Sequence, residues 1–255
     1  MATRGSRAPA VQQAFVLHHY DWSETSLVLD LFTREQGRMA VVAKGAKRPY
    51  SQLRAVLLPF QRIQVSLSKP LRSEEGGGPE VVTLRGAEWV GGNTLPAGAA
   101  LFSGYYLNEL LLKFLARQDP HPALFDAYGQ TLARLDEAAL RAFELRLLSE
   151  VGLLPDLSVA TTTQMPLDAQ RHYALSPEAG VIAASNETQA GLEGATLIRL
   201  QAALLHGSLA ALRQACEAAP LPTLRAALRG LLHYHLGHKP LRTRQVLLDV
   251  QKLLD

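Results

Sequence analysis

The sequence contains a single cysteine, Cys216. No intrachain disulfide can form, and a cysteine-based zinc knuckle is excluded by count. A lone thiol fits a reducing, cytoplasmic setting. Its place in Leu212-Arg213-Gln214-Ala215-Cys216-Glu217, among helix formers, marks a small half-buried side chain rather than a nucleophile. Long apolar runs are also missing: no window approaches the ~20 residues that span a bilayer. The first thirty residues carry no apolar stretch behind a basic start, so neither a membrane span nor a signal peptide is expected. The phosphate-loop spacing Gly-x4-Gly-Lys-Ser/Thr, the dinucleotide fingerprint Gly-x-Gly-x-x-Gly and the His-Glu-x-x-His zinc motif are all absent. No nucleophile-elbow sequence or paired acidic dyad stands out, which argues against an enzyme.

What is present is a chain of 255 residues, 47% hydrophobic, long enough for two cores. The net charge of +3 says little, but its distribution says more. Residues 1–72 hold eleven Lys/Arg against four Asp/Glu, residues 73–224 hold nine against seventeen, and residues 225–255 hold six against two. Two basic ends around an acidic middle suggest a local polyanion site on a nearly neutral molecule.

The first third reads as strands. Short runs over 13–17, 26–32 and 38–43 are rich in Val, Leu and Phe, and a tight turn at Gly37 pairs the second with the third. Strict alternation in Arg62-Ile63-Gln64-Val65-Ser66-Leu67-Ser68 marks a fourth strand with one buried face. Residues 81–84 supply a fifth. Between the third and fourth, residues 51–58 leave room for a turn or two of helix before Pro59. Five strands with that insert follow the order of an OB barrel. The polar stretch over 73–79 reads as an exposed hairpin loop, and Gly91-Gly92-Asn93 as a boundary. Beyond it the periodicity is helical: Leu101, Tyr105, Asn108, Leu112 and Leu115 share one side, widened by Leu107, Leu110, Leu111 and Phe114. Helices are expected over 122–135, 138–151, 197–205, 208–218, 222–236 and 241–254. An irregular insert near 155–194 carries a hairpin, 173–175 with 181–183. The expected class is α+β and multidomain: an N-terminal OB-fold barrel over 1–91, binding nucleic acid, then a mainly α-helical domain over 92–255.

The most informative segment is Lys44-Gly45-Ala46-Lys47-Arg48-Pro49-Tyr50-Ser51-Gln52-Leu53-Arg54, leaving the third strand. Four cations, a permissive glycine and an aromatic are what single-stranded nucleic acid requires, because phosphates demand cations and unstacked bases demand flat faces. Arg34, Arg38 and Arg62 extend the track, Trp22 is a second stacking platform, and His18-His19 adds to the binding surface. The alternative is a solvated basic loop with Tyr50 packed on the barrel. In His233-Tyr234-His235-Leu236-Gly237-His238 the first two imidazoles point to different sides of a helix, so a cationic helix end continued by Lys239, Arg242 and Arg244 is the better reading. In the helix over 138–151, Leu140, Phe143, Leu147 and Val151 form an apolar stripe, with Arg141 and Arg146 projecting elsewhere. Ordinary core packing explains that pattern, and so does a groove for a short acidic peptide ending in an aromatic and a carboxylate.

The run Ala14-Phe15-Val16-Leu17-His18, then Trp22-Ser23-Glu24-Thr25-Ser26-Leu27, Phe32-Thr33, Gly37-Arg38, Val42-Ala43-Lys44-Gly45-Ala46 and Leu58-Pro59-Phe60, closely resembles the start of RecO proteins. The resemblance continues in Tyr105-Tyr106-Leu107-Asn108-Glu109-Leu110-Leu111, in Leu140-Arg141-Ala142-Phe143-Glu144-Leu145 and in Gly237-His238-Lys239-Pro240-Leu241-Arg242-Thr243-Arg244. It implies a non-enzymatic recombination mediator of DNA repair, cytoplasmic and nucleoid-associated. Such a protein binds single- and double-stranded DNA, anneals complementary strands and helps load the RecA recombinase onto strands coated by single-strand-binding protein (SSB). RecR and the acidic C-terminal tail of SSB are the implied partners. Many members carry a four-cysteine zinc site in the insert of the helical domain; residues 155–170 hold no cysteine here, so the chain looks like the metal-free branch, with no cofactor. The basic segments put Arg34, Arg38, Tyr50, Arg54, Lys239, Arg242 and Arg244 among the residues expected on DNA; the resemblance adds weight to Lys44, Lys47 and Arg48 there, and to the Arg141 groove, with Phe143 and Leu147, for the SSB tail. The competing expectations are a peptide-binding adaptor without direct DNA binding, and a metal-dependent hydrolase using His233, His235 and His238.

Overall fold

A computed structural model of the chain describes residues 11–68, 82–91, 94–184, 191–237 and 241–254. The expected loop over 73–79, Val81, the Gly92-Asn93 part of the boundary, His238 and Lys239 lie outside the described residues. The chain forms two compact units, Met1–Ala97 with Asn108–Gly129, and Gly98–Leu107 with Gln130–Asp255.

In the first unit, β1 (Val11–Asp21), β2 (Leu27–Thr33), β3 (Gly37–Ala43), β4 (Arg62–Leu67) and β5 (Val82–Trp89) close a barrel in the order β1-β2-β3-β5-β4. The β3–β5 pair is parallel and the other pairs are antiparallel. A short helix, α1 (Leu53–Val56), lies between β3 and β4. This is the strand order of an OB fold. In β3, Met39, Val41 and Ala43 point inward while Arg38, Ala40 and Val42 point outward, the period of two that a half-buried strand requires. Ala14, Val16, Leu29, Leu31, Ile63, Val65 and Val82 complete the interior.

The run in β2 does not alternate because both of its faces are covered. Its outward Phe32 and the neighbouring Phe15 pack on Phe125 and Tyr128, with centroids of 5.0 Å for Phe15–Phe125, 4.9 Å for Phe15–Tyr128 and 5.4 Å for Phe32–Phe125. These last two rings come from α3 (Pro122–Leu132), which follows α2 (Ala99–Phe114). Register shifts between Val16 and His18, a bulge that leaves Leu17 unpaired in the β1–β2 ladder. Its carbonyl is satisfied at 2.9 Å by Asn108 Nδ2, and Asn108 Oδ1 in turn accepts from the Tyr128 hydroxyl. At the β2–β3 turn Gly37 has φ +69°, and a Cβ there would lie 1.9 Å from the Asp119 carbonyl oxygen, so only glycine fits.

The second unit is built on α4 (Glu137–Glu150), α5 (Gly194–His206), α6 (Leu209–Glu217), α7 (Leu221–His235) and α8 (Arg242–Leu254). Between α4 and α5, β6 (His172–Ser176), β7 (Gly180–Ala183) and β8 (Leu192–Glu193) form a small sheet in the order β7-β6-β8. Asp136 caps α4 by accepting from the Ala139 N–H at 2.8 Å, and Gly207, at φ +81°, ends α5 in the left-handed region. Phe143, Leu147, Leu197, Leu200, Leu212, Leu224 and Leu228 are completely buried. Among the described residues no helix is long and apolar enough to cross a membrane.

Candidate nucleic-acid interface and peptide groove

Residues 44–54 leave β3 at one end of the barrel. Gly45, at φ +71°, turns the chain, Ala46 is buried beneath it, and the Lys47 N–H donates to the Thr25 carbonyl at 3.0 Å. Lys47 Nζ reaches the Ser23 carbonyl at 3.2 Å and Asp21 Oδ1 at 3.1 Å, tying this loop to the turn between β1 and β2. The anchoring leaves Lys44, Arg48, Tyr50 and Arg54 exposed, and among the described residues none of their side chains has a partner. Tyr50 is 98% exposed, so it is not packed on the barrel, and Trp22 on the tethered turn is 69% exposed. Large aromatics so placed gain little from burial and offer faces for stacking. His18 and His19, their rings stacked 6.0 Å apart, lie near the same end of β1.

The three arginines expected to extend this track are engaged elsewhere in the unit. Arg34 makes a two-pronged pair with Asp126, at 3.2 and 3.0 Å. Arg62 lies 3.7 Å from the same carboxylate and over the Phe125 ring, at 5.6 Å. Arg38 donates to the carbonyls of Leu112 and Leu115 and sits 3.4 Å from Asp30, so its charge faces the C-terminal carbonyls of α2. Arg38 and Lys44 flank opposite ends of β3, roughly 20 Å apart at strand rise. Arg34 and Arg38 therefore hold the C-terminal end of α2 and the Asp126 turn of α3 against the barrel, and of the barrel cations expected on DNA, Lys44, Arg48 and Arg54 are the ones left without a partner among the described residues.

In the second unit, a groove of about 430 Å3 has Phe102, Leu140, Leu232, Leu236 and Leu247 among its apolar walls, with Arg141, Arg225, Arg229, His233 and Arg244 around it. Arg141 is itself buried and pairs with Glu144 at 2.6 Å; Glu144 also accepts from the Tyr106 hydroxyl at 2.6 Å. Burial pushes the Glu144 carboxyl above its usual range, against the pull of Arg141 and Tyr106. Burial, reinforced by the Glu144 charge, pushes the Tyr106 phenol well above its own, which keeps it a donor. Arg225 pairs with Glu137 at 3.3 Å. Among the described residues Arg229 and Arg244 have no ion-pair partner, so they are the cations best able to take an incoming carboxylate.

On α4, Phe143 and Leu147 have no accessible surface, as ordinary core packing requires, and do not line the groove, whereas Leu140 and Arg141 do. Arg146 points away, donating to the Gly207 carbonyl at 2.6 Å. Arg244, expected on DNA, belongs to the groove, and Arg242 is exposed on the first turn of α8. His233 also lines the groove, and the Tyr234 and His235 rings meet edge to face at 5.4 Å. Arg225 and Arg229 escaped the sequence reading, and His233 was read as part of a cationic helix end or a metal site, although the spacing of four places all three on one helix face.

The chain matches the family models described as Recombination protein O N terminal, over residues 9–78, and Recombination protein O C terminal, over residues 96–245. It is 51% identical over 257 residues to the DNA repair protein RecO of Variovorax paradoxus (strain S110), covering 95% of this chain and 96% of the relative. It is 49% identical over 250 residues to the same-named protein of Polaromonas naphthalenivorans (strain CJ2), covering 95% and 97%. Barrel, helical unit and both matches agree that this chain belongs to the RecO family of DNA repair and recombination proteins.

Proposed function

We propose that this protein is a recombination mediator: it binds single- and double-stranded DNA through the barrel-end loop, anneals complementary strands, and helps load RecA onto SSB-coated DNA. The observation that carries this reading is the loop over residues 44–54, anchored through Lys47 and Ala46 while Lys44, Arg48, Arg54 and Tyr50 face solvent beside Trp22. Cations along a strand's backbone and aromatic faces for its bases form the chemistry of sequence-tolerant single-strand binding. The groove of the helical unit supports the second half of the reading. Its leucine and phenylalanine walls suit an aromatic side chain, and Arg229 and Arg244 suit the terminal carboxylate and acidic residues of the SSB tail. Arg141 serves that tail indirectly, as a buried cation already neutralised by Glu144. RecR is the further partner that the family reading implies. Annealing of complementary strands coated with intact SSB, compared with SSB lacking its acidic tail, tests the proposal. Annealing that requires both this protein and the tail is the expected result. A protein that fails to bind DNA at low salt but still binds the tail would instead be a peptide-docking adaptor.

A further inference from the structure

The loop that presents Tyr50 also walls a pocket of about 330 Å3 at the end of the barrel. Its floor is apolar, with Leu53 and Leu57 prominent, and its rim carries His19, Asp21, Lys47 and Arg54. The volume falls near the lower bound, ~300 Å3, of small-ligand sites. Lys47 spans the gap between the two walls through its bonds to Ser23 and Asp21, and its N–H is held by Thr25, so the pocket is preformed.

We propose that this pocket receives one unstacked base of a bound DNA strand and favours a base bearing an exocyclic amino group. The inference rests on the reading of residues 44–54 as a DNA-contacting surface. Asp21 decides what can enter. The exposed Lys44, Arg48 and Arg54 hold the strand's backbone at the surface, and the leucine lining suits a flat heterocycle. One Asp21 oxygen takes the Lys47 ammonium, and among the described residues the other has no partner. A free carboxylate oxygen accepts from an amino group, as acidic side chains do from the cytosine amine, whereas thymine brings only carbonyl oxygens and an imide N–H between them. Thymine in the pocket sets a carbonyl against the carboxylate, two acceptors that cannot pair, so the contact that cytosine makes is missing.

The test is the affinity of the full-length protein for oligo-dC and oligo-dT of equal length, at low salt and a pH near 8 that keeps oligo-dC single-stranded. The expected result is a preference for oligo-dC of about fivefold or more, the low end of what one good base-edge contact confers. In the Asp21→Ala variant, which alters an exposed side chain, the two affinities should converge to within about twofold even if both rise from the loss of a negative charge. Equal affinities in the unaltered protein, or a preference that survives Asp21→Ala, would overturn the pocket assignment while leaving DNA binding by the loop intact. No binding of either strand would overturn both.

Discussion

Replacing Lys44, Arg48 and Arg54 together by alanine should flatten the salt dependence of single-strand binding. Their side chains are exposed and have no partners among the described residues, so all three are available to phosphates. Each phosphate neutralised on a single strand contributes about −0.7 to the slope of log K against log salt, so losing three contacts should reduce the slope by about two units. Over a fourfold rise in salt that difference makes the unaltered protein lose roughly fifteen- to twentyfold more affinity than the variant. Fluorescence anisotropy of a labelled oligonucleotide, titrated from about 50 to 200 mM monovalent salt, reads it directly. Arg34→Ala is the internal control: its guanidinium is held by Asp126, so its slope should stay within about half a unit of the original. An unchanged slope in the triple variant, or an equal loss in Arg34→Ala, would refute the assignment of the loop as the phosphate-contacting surface.

Other outcomes follow from the helical unit. Arg229→Ala with Arg244→Ala should weaken a peptide carrying the SSB tail about tenfold or more, as should amidating its terminal carboxylate, because a charge-assisted contact is lost in each case; calorimetry that shows equal binding would place the tail elsewhere. Glu144→Ala leaves the Arg141 charge buried without its partner and should cost about 3–5 kcal/mol, read as a lower urea midpoint. Asp136→Ala removes the cap of α4 and a 2.7 Å contact to Arg213, a loss of about 1–2 kcal/mol at neutral pH on the cap alone. Burial opposes the Asp136 charge, but Arg213, the Ala139 N–H and Arg134 together hold its carboxyl below the usual range. Its contribution is therefore complete above the ordinary carboxylate pKa and fades as pH falls through its own lower value, so the gap between variant and parent in urea should narrow in acid. Burial pushes the Cys216 thiol up to about 12, so a thiol reagent near pH 8 should label the protein only after denaturation.

The strand order, the insert at α1 and most helices were legible because their cause is local: Val- and Leu-rich runs in β2 and β3, alternation in β4, apolar stripes at helical spacing, and glycine or proline at the ends. The last residues of β1 were not. His18, His19, Tyr20 and Asp21 lack an apolar alternation, and the bulge at Leu17 is stabilised by Asn108, far along the chain. The same distance hid the engagement of Arg34: Asp126 lies 92 residues away, and only the packing of α3 on Phe15 and Phe32 brings it near. In the groove, the periodicity of α4 picked out the right helix but could not distinguish Leu140, which lines the open groove, from Phe143 and Leu147, which are completely buried. Glu144 lies only three residues from Arg141, but the Tyr106 hydroxyl that also donates to Glu144 was invisible, since it enters from another helix.

The division of labour between loop and groove can be tested by annealing complementary strands, naked and SSB-coated, with three proteins: the parent, the Lys44, Arg48 and Arg54 variant, and the Arg229 and Arg244 variant. The loop variant should be slow on both substrates, and the groove variant should match the parent on naked strands while failing on coated ones. A groove variant that anneals coated strands normally, or a loop variant that anneals naked strands normally, would contradict a mediator that holds DNA on its barrel and SSB in its helical unit.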